Sequence, residues 1–386
     1  MTYSADLNFS FAHTRRVNFG AGALNEIGSL VGDLGFERAL IVTDAFLLEK
    51  TDFVERARKS LGPRCAGVYG GVVPDPTAES IDRGADEARR IGCDVLISIG
   101  GGSAIDTAKG MAVVLREGGR VLDHEGYHAL TREPWPHIAV PTTAGTGSEM
   151  TMVTVIKDTA RGQKTFIGSY YLHPLAAVLD PELTVKMPAK LTAATGLDAM
   201  SHAVESLLSN LRNPISDACA IQAIELIVNN LPRCLRQPDD LAARGQMLIA
   251  AALAGSAFSN AMVVLNHALA HALGARFGVH HGTANAIFLP HTMRYFSDVA
   301  ADRLALVARA LGISEADQQR AAHQAADFME SFIRGAGLGE RLSDYGVKEA
   351  DLPGLAELAL GDGSIIYSPK TISEIEEVVG LLKQAL

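Results

Sequence analysis

The first half of this chain keeps one rhythm, and then the rhythm stops. Short apolar runs, "RALIVTD" (38–44), "CAGVYGG" (65–71), "DVLISIG" (94–100) and "HIAVPTT" (137–143), alternate with helical patterns at 46–61, at 77–91 and from Ser103 onward. Apolar runs of this kind, spaced by helices, predict strands of a parallel sheet with helices on both faces. The character changes at "DPELTVKMPAK" (180–190). Beyond it, Ala- and Leu-rich helical segments follow at 189–210, 214–230, 241–273, 300–312, 316–334 and 371–385. The expected architecture is an α/β domain over 1–187 and an all-helical domain over 188–386. A chain of 386 residues suits two cores better than one. Thr371 and Glu374 have the spacing of a capping box and predict where the last helix begins.

Charge and cysteine usage exclude several roles. The net charge is −10 and no Lys/Arg run is present, whereas a nucleic-acid surface needs a basic stripe to replace counterions. Cys65, Cys93, Cys219 and Cys234 show no C-x-x-C spacing, which suits a reducing compartment. The stretch "MTYSADLNFSFAHTRR" lacks the basic-then-apolar layout of a secretion signal. The apolar stretches read as too short or too interrupted to cross a bilayer. A soluble cytoplasmic protein without membrane or nucleic-acid partners is expected.

Two loops in the first half carry binding chemistry. "SIGGGSAIDTAKG" (98–110) leaves a strand and opens a helix. Its glycines allow close backbone approach, and the helix N-terminus behind them offers free N–H donors to a phosphate. The pattern is neither G-x-G-x-x-G nor a Walker loop. "PTTAGTGSE" (141–149) follows another strand and adds hydroxyls. Ligands of open α/β sheets bind at such strand ends. Asp44 closes the strand 38–44, where an acid can bind a ribose hydroxyl and favour NAD over NADP. The same residue can equally cap the following helix.

The helical half raises a different question. In "ATGLDAMSHAVE" (194–205), Asp198 and His202 lie one turn apart among apolar neighbours. Two polar side chains on one buried face must pair or share a cation. "VLNHALAHALGARFGVHHGTANA" (264–286) adds His267 and His271 one turn apart, then His280 and His281 in an apparent break between helices. A carboxylate with three imidazoles suits Zn²⁺ or Fe²⁺ and leaves room for substrate. One histidine is then left for another role.

Together, "GGGSAIDTAKG", "PTTAGTGSE", "LDPELTVKMP", "ATGLDAMSHAVE" and "NHALAHALG…HHGTANAIFLPHTMRY" resemble the iron-containing (group III) alcohol dehydrogenases in wording, order and spacing. The resemblance runs from "VNFGAGAL" to "LPHTMRY" at least. It implies a Rossmann-like N-terminal domain, an all-α C-terminal domain and a cleft between them, the dehydroquinate synthase-like fold. It makes Asp198, His202, His267 and His281 the metal ligands, and His271 the non-ligand histidine near nicotinamide and substrate. It assigns the pyrophosphate cradle to Gly101, Gly102 and Ser103. Thr142, Thr143, Thr146 and Thr151 fall where the second loop touches cofactor, Lys164 and Leu183 at further cofactor positions, and Asp44 at the acid associated with NAD. A homodimer is implied as well. Two places depart from the family pattern: Asp75 stands where Asn is common, and Ser368-Pro369-Lys370 where Asn-Pro-Arg is usual.

The implied activity is NAD-linked oxidation of a primary alcohol to an aldehyde, or the reverse. Fe²⁺ or Zn²⁺ polarises the substrate oxygen and His271 relays the proton. Val153, Phe258 and Tyr367 are expected as substrate walls. Retention of all four ligands separates the chain from the maleylacetate reductases, which work without them. A dehydroquinate synthase-type lyase would need basic residues for its phosphate-bearing substrate, and the segments around Asp198 and His267 are poor in Lys and Arg. A hydroxyacid–oxoacid transhydrogenase is a closer variant. A non-catalytic nucleotide or metal sensor would have no need of His271.

Overall fold

The structure is a computed structural model that describes residues 7–128 and 130–386. These fall into two compact units, 12–186 and 187–386, with the stretch through Phe11 grouping with the second. The first unit is built on strands β1 (Arg16–Phe19), β2 (Ala39–Asp44), β3 (Cys65–Val72), β4 (Val95–Gly100), β5 (Gly126–Tyr127), β6 (His137–Pro141), β7 (Val153–Asp158), β8 (Gln163–Gly168) and β9 (Ala176–Leu179). Its helices are α1 (Ile27–Asp33), α2 (Ala45–Lys50), α3 (Phe53–Leu61), α4 (Ala78–Ile91) and α5 (Gly102–Glu117).

Six strands form a parallel sheet in the order β1-β9-β6-β4-β2-β3, and β5-β8-β7 form a smaller one. The strand residues alternate between two cores. Ala39, Ile41, Val95, Ile97 and Ile99 enter one apolar cluster, and Leu40, Val42 and Leu96 enter the other. Both faces of the sheet are therefore covered, as its unbroken apolar strands predict. The chain leaves β2 toward β3 and returns on the other side of β2 as β4. That reversal leaves a crevice at the carboxyl ends of β2 and β4, the usual ligand position of such sheets.

One expected helix of this unit is two. The pattern at 46–61 is broken between α2 and α3, where Thr51 is extended and its hydroxyl donates to the Leu47 carbonyl at 2.6 Å. A side chain that bonds its own backbone competes with helix continuation.

The second unit contains α6 (Ala189–Leu208), α7 (Pro214–Arg236), α8 (Leu241–Ala261), α9 (Leu265–Phe277), α10 (His281–Phe296), α11 (Ala301–Ala310), α12 (Gln318–Gly335), α13 (Leu352–Leu360) and α14 (Ile375–Ala385). Helix α6 is buried along most of its length and packs against α7, α8 and α10. Three sequence expectations fail here. The segment 241–273 is not one helix: it breaks at Met262, whose φ is +67°, and α9 restarts with its first N–H groups held by Glu205 of α6. That cap comes from a distant helix, so no local signal announces it. His281 does not lie in a break but opens α10. The last helix starts at Ile375 with Glu374 as N-cap and no side-chain cap bond, so the Thr371 capping box does not form. Helix α13 was not anticipated.

Helix α8 also corrects the membrane expectation in part. By length and composition it could cross a bilayer, yet 67% of its apolar window is buried inside the unit, as in the core helix of a soluble protein.

Candidate metal centre

Helix α6 sets the base of the site. Asp198 and His202 project from one face of it, and α9 and α10 bring His267 and His281 to the same point. The approach of α10 to α6 is close enough to require glycine at position 282. A Cβ there would lie 2.2 Å from the Ala194 carbonyl oxygen. One donor atom from each of Asp198, His202, His267 and His281 falls within 4.8 Å of the others. Bonds of about 2.0–2.2 Å put the donors of a tetrahedral site roughly 3.3–3.6 Å apart. The four donors match a divalent cation in kind, and they would draw together by up to roughly 1.5 Å to hold one. Asp198, His202 and His267 are buried, and His281 is half-exposed, which leaves one open side.

Neighbouring groups fix these donors. The Asn285 amide nitrogen lies 2.8 Å from Asp198 Oδ1 and 3.2 Å from both His267 Nε2 and His281 Nε2, marking where the donors converge. Its Oδ1 accepts from Asn266 Nδ2 at 3.0 Å. The His267 Nδ1 is paired with the Glu205 carboxylate. Phe258, expected as a substrate wall, stacks on His202 with ring centroids 4.1 Å apart. Burial would raise the Asp198 carboxyl, but His202, His281 and His267 hold it at about 2. Burial pushes His267 down, yet the Glu205 charge and hydrogen bond outweigh it and the net shift is upward.

His271 stands one turn beyond His267 on α9 and stacks on His281 at 5.4 Å. Its Nδ1 lies 2.7 Å from Asp362 Oδ2. The other Asp362 oxygen accepts from the Ser364 N–H at 2.9 Å and from its hydroxyl at 2.6 Å. Burial opposes ionisation of Asp362, but His271 and Ser364 hold its carboxyl well below the usual range. An ionised carboxylate only accepts, so His271 carries its proton on Nδ1 and presents Nε2 elsewhere. Asp362, Glu205 and Asn285 were all missed from the sequence. For Glu205 a signal existed: it follows Asp198 and His202 at helical spacing on the same apolar helix.

The two glycine- and threonine-rich loops assemble within the first unit. Gly101 caps α5 without a side chain, leaving the first N–H groups of that helix for a ligand. The two loops pack on each other. A Cβ at Gly101 would meet Thr143 Oγ1 at 3.2 Å, and one at Gly102 would meet Thr146 Cγ2 at 2.9 Å. The Thr142 N–H donates to the Gly100 carbonyl at 3.0 Å. Ser103 lies in the first turn of α5. Asp44, at the end of β2, accepts from the Leu47 N–H at 2.9 Å and caps α2.

Other expected positions carry structural bonds. Thr151 receives the Lys109 ammonium at 2.8 Å through its hydroxyl and 2.7 Å through its carbonyl, and Val153 O accepts the third proton at 2.9 Å. Lys109 is fully buried, and burial pulls its ammonium down to about 8 against the opposing pull of Asp106 and Glu149. Leu183 is buried in the sheet core. Lys164 pairs with Asp75 at 2.6 Å on the surface. Asp75 has a φ of +50°, a conformation that Asp and Asn tolerate best after glycine. Tyr367 lends its carbonyl to the Asn210 N–H at 2.8 Å. Lys370 lies 3.9 Å over the Tyr295 ring and 3.4 Å from Asp298, a surface brace.

The α/β unit carries two glycine- and threonine-rich loops at strand ends, and the helical unit gathers four possible ligand atoms at one point. Comparison with known proteins supplies the class. Residues 14–181 match the family model "Iron-containing alcohol dehydrogenase", and residues 192–386 match "Fe-containing alcohol dehydrogenase family, C-terminal". The chain is 37% identical over 373 residues to the NAD-dependent methanol dehydrogenase of Bacillus methanolicus, covering 95% of this chain and 97% of that one. It is 38% identical over 374 residues to the 1,3-propanediol dehydrogenase of Klebsiella pneumoniae, covering 95% and 96%. A crystal structure of 1,3-propanediol oxidoreductase superposes with a TM-score of 0.95 at 35% identity, covering 98% of this chain and 100% of that one. The chain belongs to the iron-containing alcohol dehydrogenase family.

Proposed function

We propose that this alcohol dehydrogenase uses Asp198, His202, His267 and His281 to hold one divalent ion, Fe²⁺ or Zn²⁺, and interconverts a small primary alcohol and its aldehyde with NAD. The convergence of those four donors within 4.8 Å carries the reading. When bound, the cation supplies Lewis acidity toward the substrate oxygen and the nicotinamide supplies hydride chemistry. The chain's own residues do the rest. Asp198 and the imidazoles offer nitrogen and oxygen donors and leave the His281 side open. Asp362 orients His271, whose Nε2 accepts the alcohol proton or returns it. Phe258 gives the centre an apolar wall suited to a neutral substrate. Gly101, Gly102 and Ser103 bind the pyrophosphate with backbone donors, with Thr142, Thr143 and Thr146 packed against them. Asp44, beside the sheet reversal, selects the unphosphorylated ribose.

Two coarser features complete the proposal. The four cysteines are free thiols, which supports a cytoplasmic location. Strand β1 ends the large sheet with Val17 and Phe19 exposed, which supports homodimer formation along that edge. The test is turnover. Protein loaded with Fe²⁺ or Zn²⁺ is expected to reduce NAD⁺ with a panel of short primary alcohols, and NADP⁺ more weakly. No turnover with any alcohol or aldehyde and either nucleotide would overturn the proposal.

A further inference from the structure

We propose that Glu205 is the positioning residue of the metal centre: it keeps the His267 proton on Nδ1 and aims Nε2 at the shared ion. The inference rests on the reading that the cluster binds a divalent cation. Glu205 is fully buried on α6. Its Oε1 accepts from the Val264 N–H at 2.8 Å and the His267 N–H at 3.2 Å. Its Oε2 pairs with His267 Nδ1. Val264 is the N-cap of α9, and its own side chain makes no cap bond. Glu205 therefore occupies the positive end of that helix and the back of its first histidine at once.

The chemistry of the carboxylate decides the tautomer. Glu205 Oε1 is taken up by two backbone N–H donors, and Oε2 faces the ring as acceptor, so Nδ1 donates. The lone pair is then on Nε2, the atom 3.2 Å from the Asn285 amide at the point of convergence. Ligand histidines commonly owe their orientation to such a partner behind the ring.

Glu205→Gln separates this role from simple packing because the shape is nearly kept. If the amide oxygen stays on the α9 N–H groups, the NH₂ faces Nδ1 and drives the proton to Nε2, closing the ligand atom. If the amide flips, two buried backbone N–H groups lose their acceptor. The experiment titrates Co²⁺ into metal-stripped wild-type and Glu205→Gln protein, reading both the dissociation constant and the absorption bands of the bound ion. The expected result is a dissociation constant raised about 10- to 100-fold, altered bands, and unchanged NAD affinity. Equal constants and equal bands in the two proteins overturn the inference. A wild type that binds no Co²⁺ overturns the functional reading as well, so the two failures are distinct. Should the variant not fold, a crystal structure of the wild-type zinc form decides: Nε2 on the ion with Glu205 behind Nδ1 supports the inference, and Nδ1 or Glu205 on the ion overturns it.

Discussion

Gly282→Ala is the sharpest test of how the centre is assembled. The added Cβ would lie 2.2 Å from the Ala194 carbonyl oxygen, 2.8 Å from its carbon and 3.3 Å from Asp198 Cβ. The first two partners are backbone of α6 and cannot swing away. Since Cβ contacts under 3.0 Å essentially do not occur, α10 must retreat from α6 by about 0.8 Å or more. Metal sites tolerate ligand displacements of about 0.2 Å. His281 opens α10 and Asp198 lies on α6, so the retreat separates two ligands of one ion by several times that tolerance. Overpacking of this kind costs about 1–3 kcal/mol of stability. The assay pairs urea unfolding of the metal-stripped variant with Co²⁺ titration. The expected outcome is a lower unfolding midpoint and a dissociation constant raised at least about 10-fold. A variant with wild-type stability and wild-type Co²⁺ affinity would refute the claim that close α6–α10 contact builds the site.

Further outcomes follow from other residues. Asp362→Asn leaves one acceptor oxygen, which the Ser364 N–H and hydroxyl hold, and turns an NH₂ toward His271 Nδ1; kcat is expected to fall roughly 10-fold or more while metal content stays unchanged, and steady-state kinetics with metal analysis would expose an unaltered kcat. Lys109→Met leaves the Thr151 and Val153 carbonyls without their ammonium donor, at about 1–3 kcal/mol for each buried group. Calorimetry should show both a lower melting temperature and weaker NAD binding; unchanged NAD affinity would mean the second loop does not depend on this brace. His137 is held down to about 3, first by burial and then by Lys109, and His173 to about 4 by burial. Both stay neutral when folded but protonate near 6.5 when unfolded, so their contribution is complete above 6.5 and is lost as pH falls toward 4 and then 3. Each imidazole costs about 1.4 kcal/mol per pH unit in that window. Urea midpoints should fall with acidification, and less so in His137→Gln; a midpoint independent of pH between 6.5 and 4.5 contradicts the assignment.

Strands β2, β4 and β6 were legible because burial on both faces writes itself as unbroken apolar runs, "RALIVTD", "DVLISIG" and "HIAVPTT", whereas β1 and β9 of the same sheet were not singled out. Asp198, His202 and His267 stood out because two helical turns each carry a pair of polar groups where apolar ones belong, while His281 lies in neither pair. Asp362 was not legible, since its partner His271 lies 91 positions away and an Asp before Gly reads as a turn. The break at Met262 was hidden for the same reason, because Glu205 supplies the cap from another helix. Thr151 and Lys164 are a further case. The resemblance implies cofactor contact there, and in the structure they bond Lys109 and Asp75, partners that no local sequence pattern announces. Asp44 carries a helix cap at the very position expected to read the ribose, and the two roles use one carboxylate.

The most direct measurement is metal stoichiometry coupled to turnover, made on chelator-stripped protein during titration with Fe²⁺ or Zn²⁺ and repeated for His267→Ala. A single divalent ion per chain, with NAD-linked alcohol oxidation rising in step and both lost in the variant, is the predicted result. Full activity in stripped protein, or a His267→Ala variant that keeps its ion and its rate, would contradict the centre built from Asp198, His202, His267 and His281.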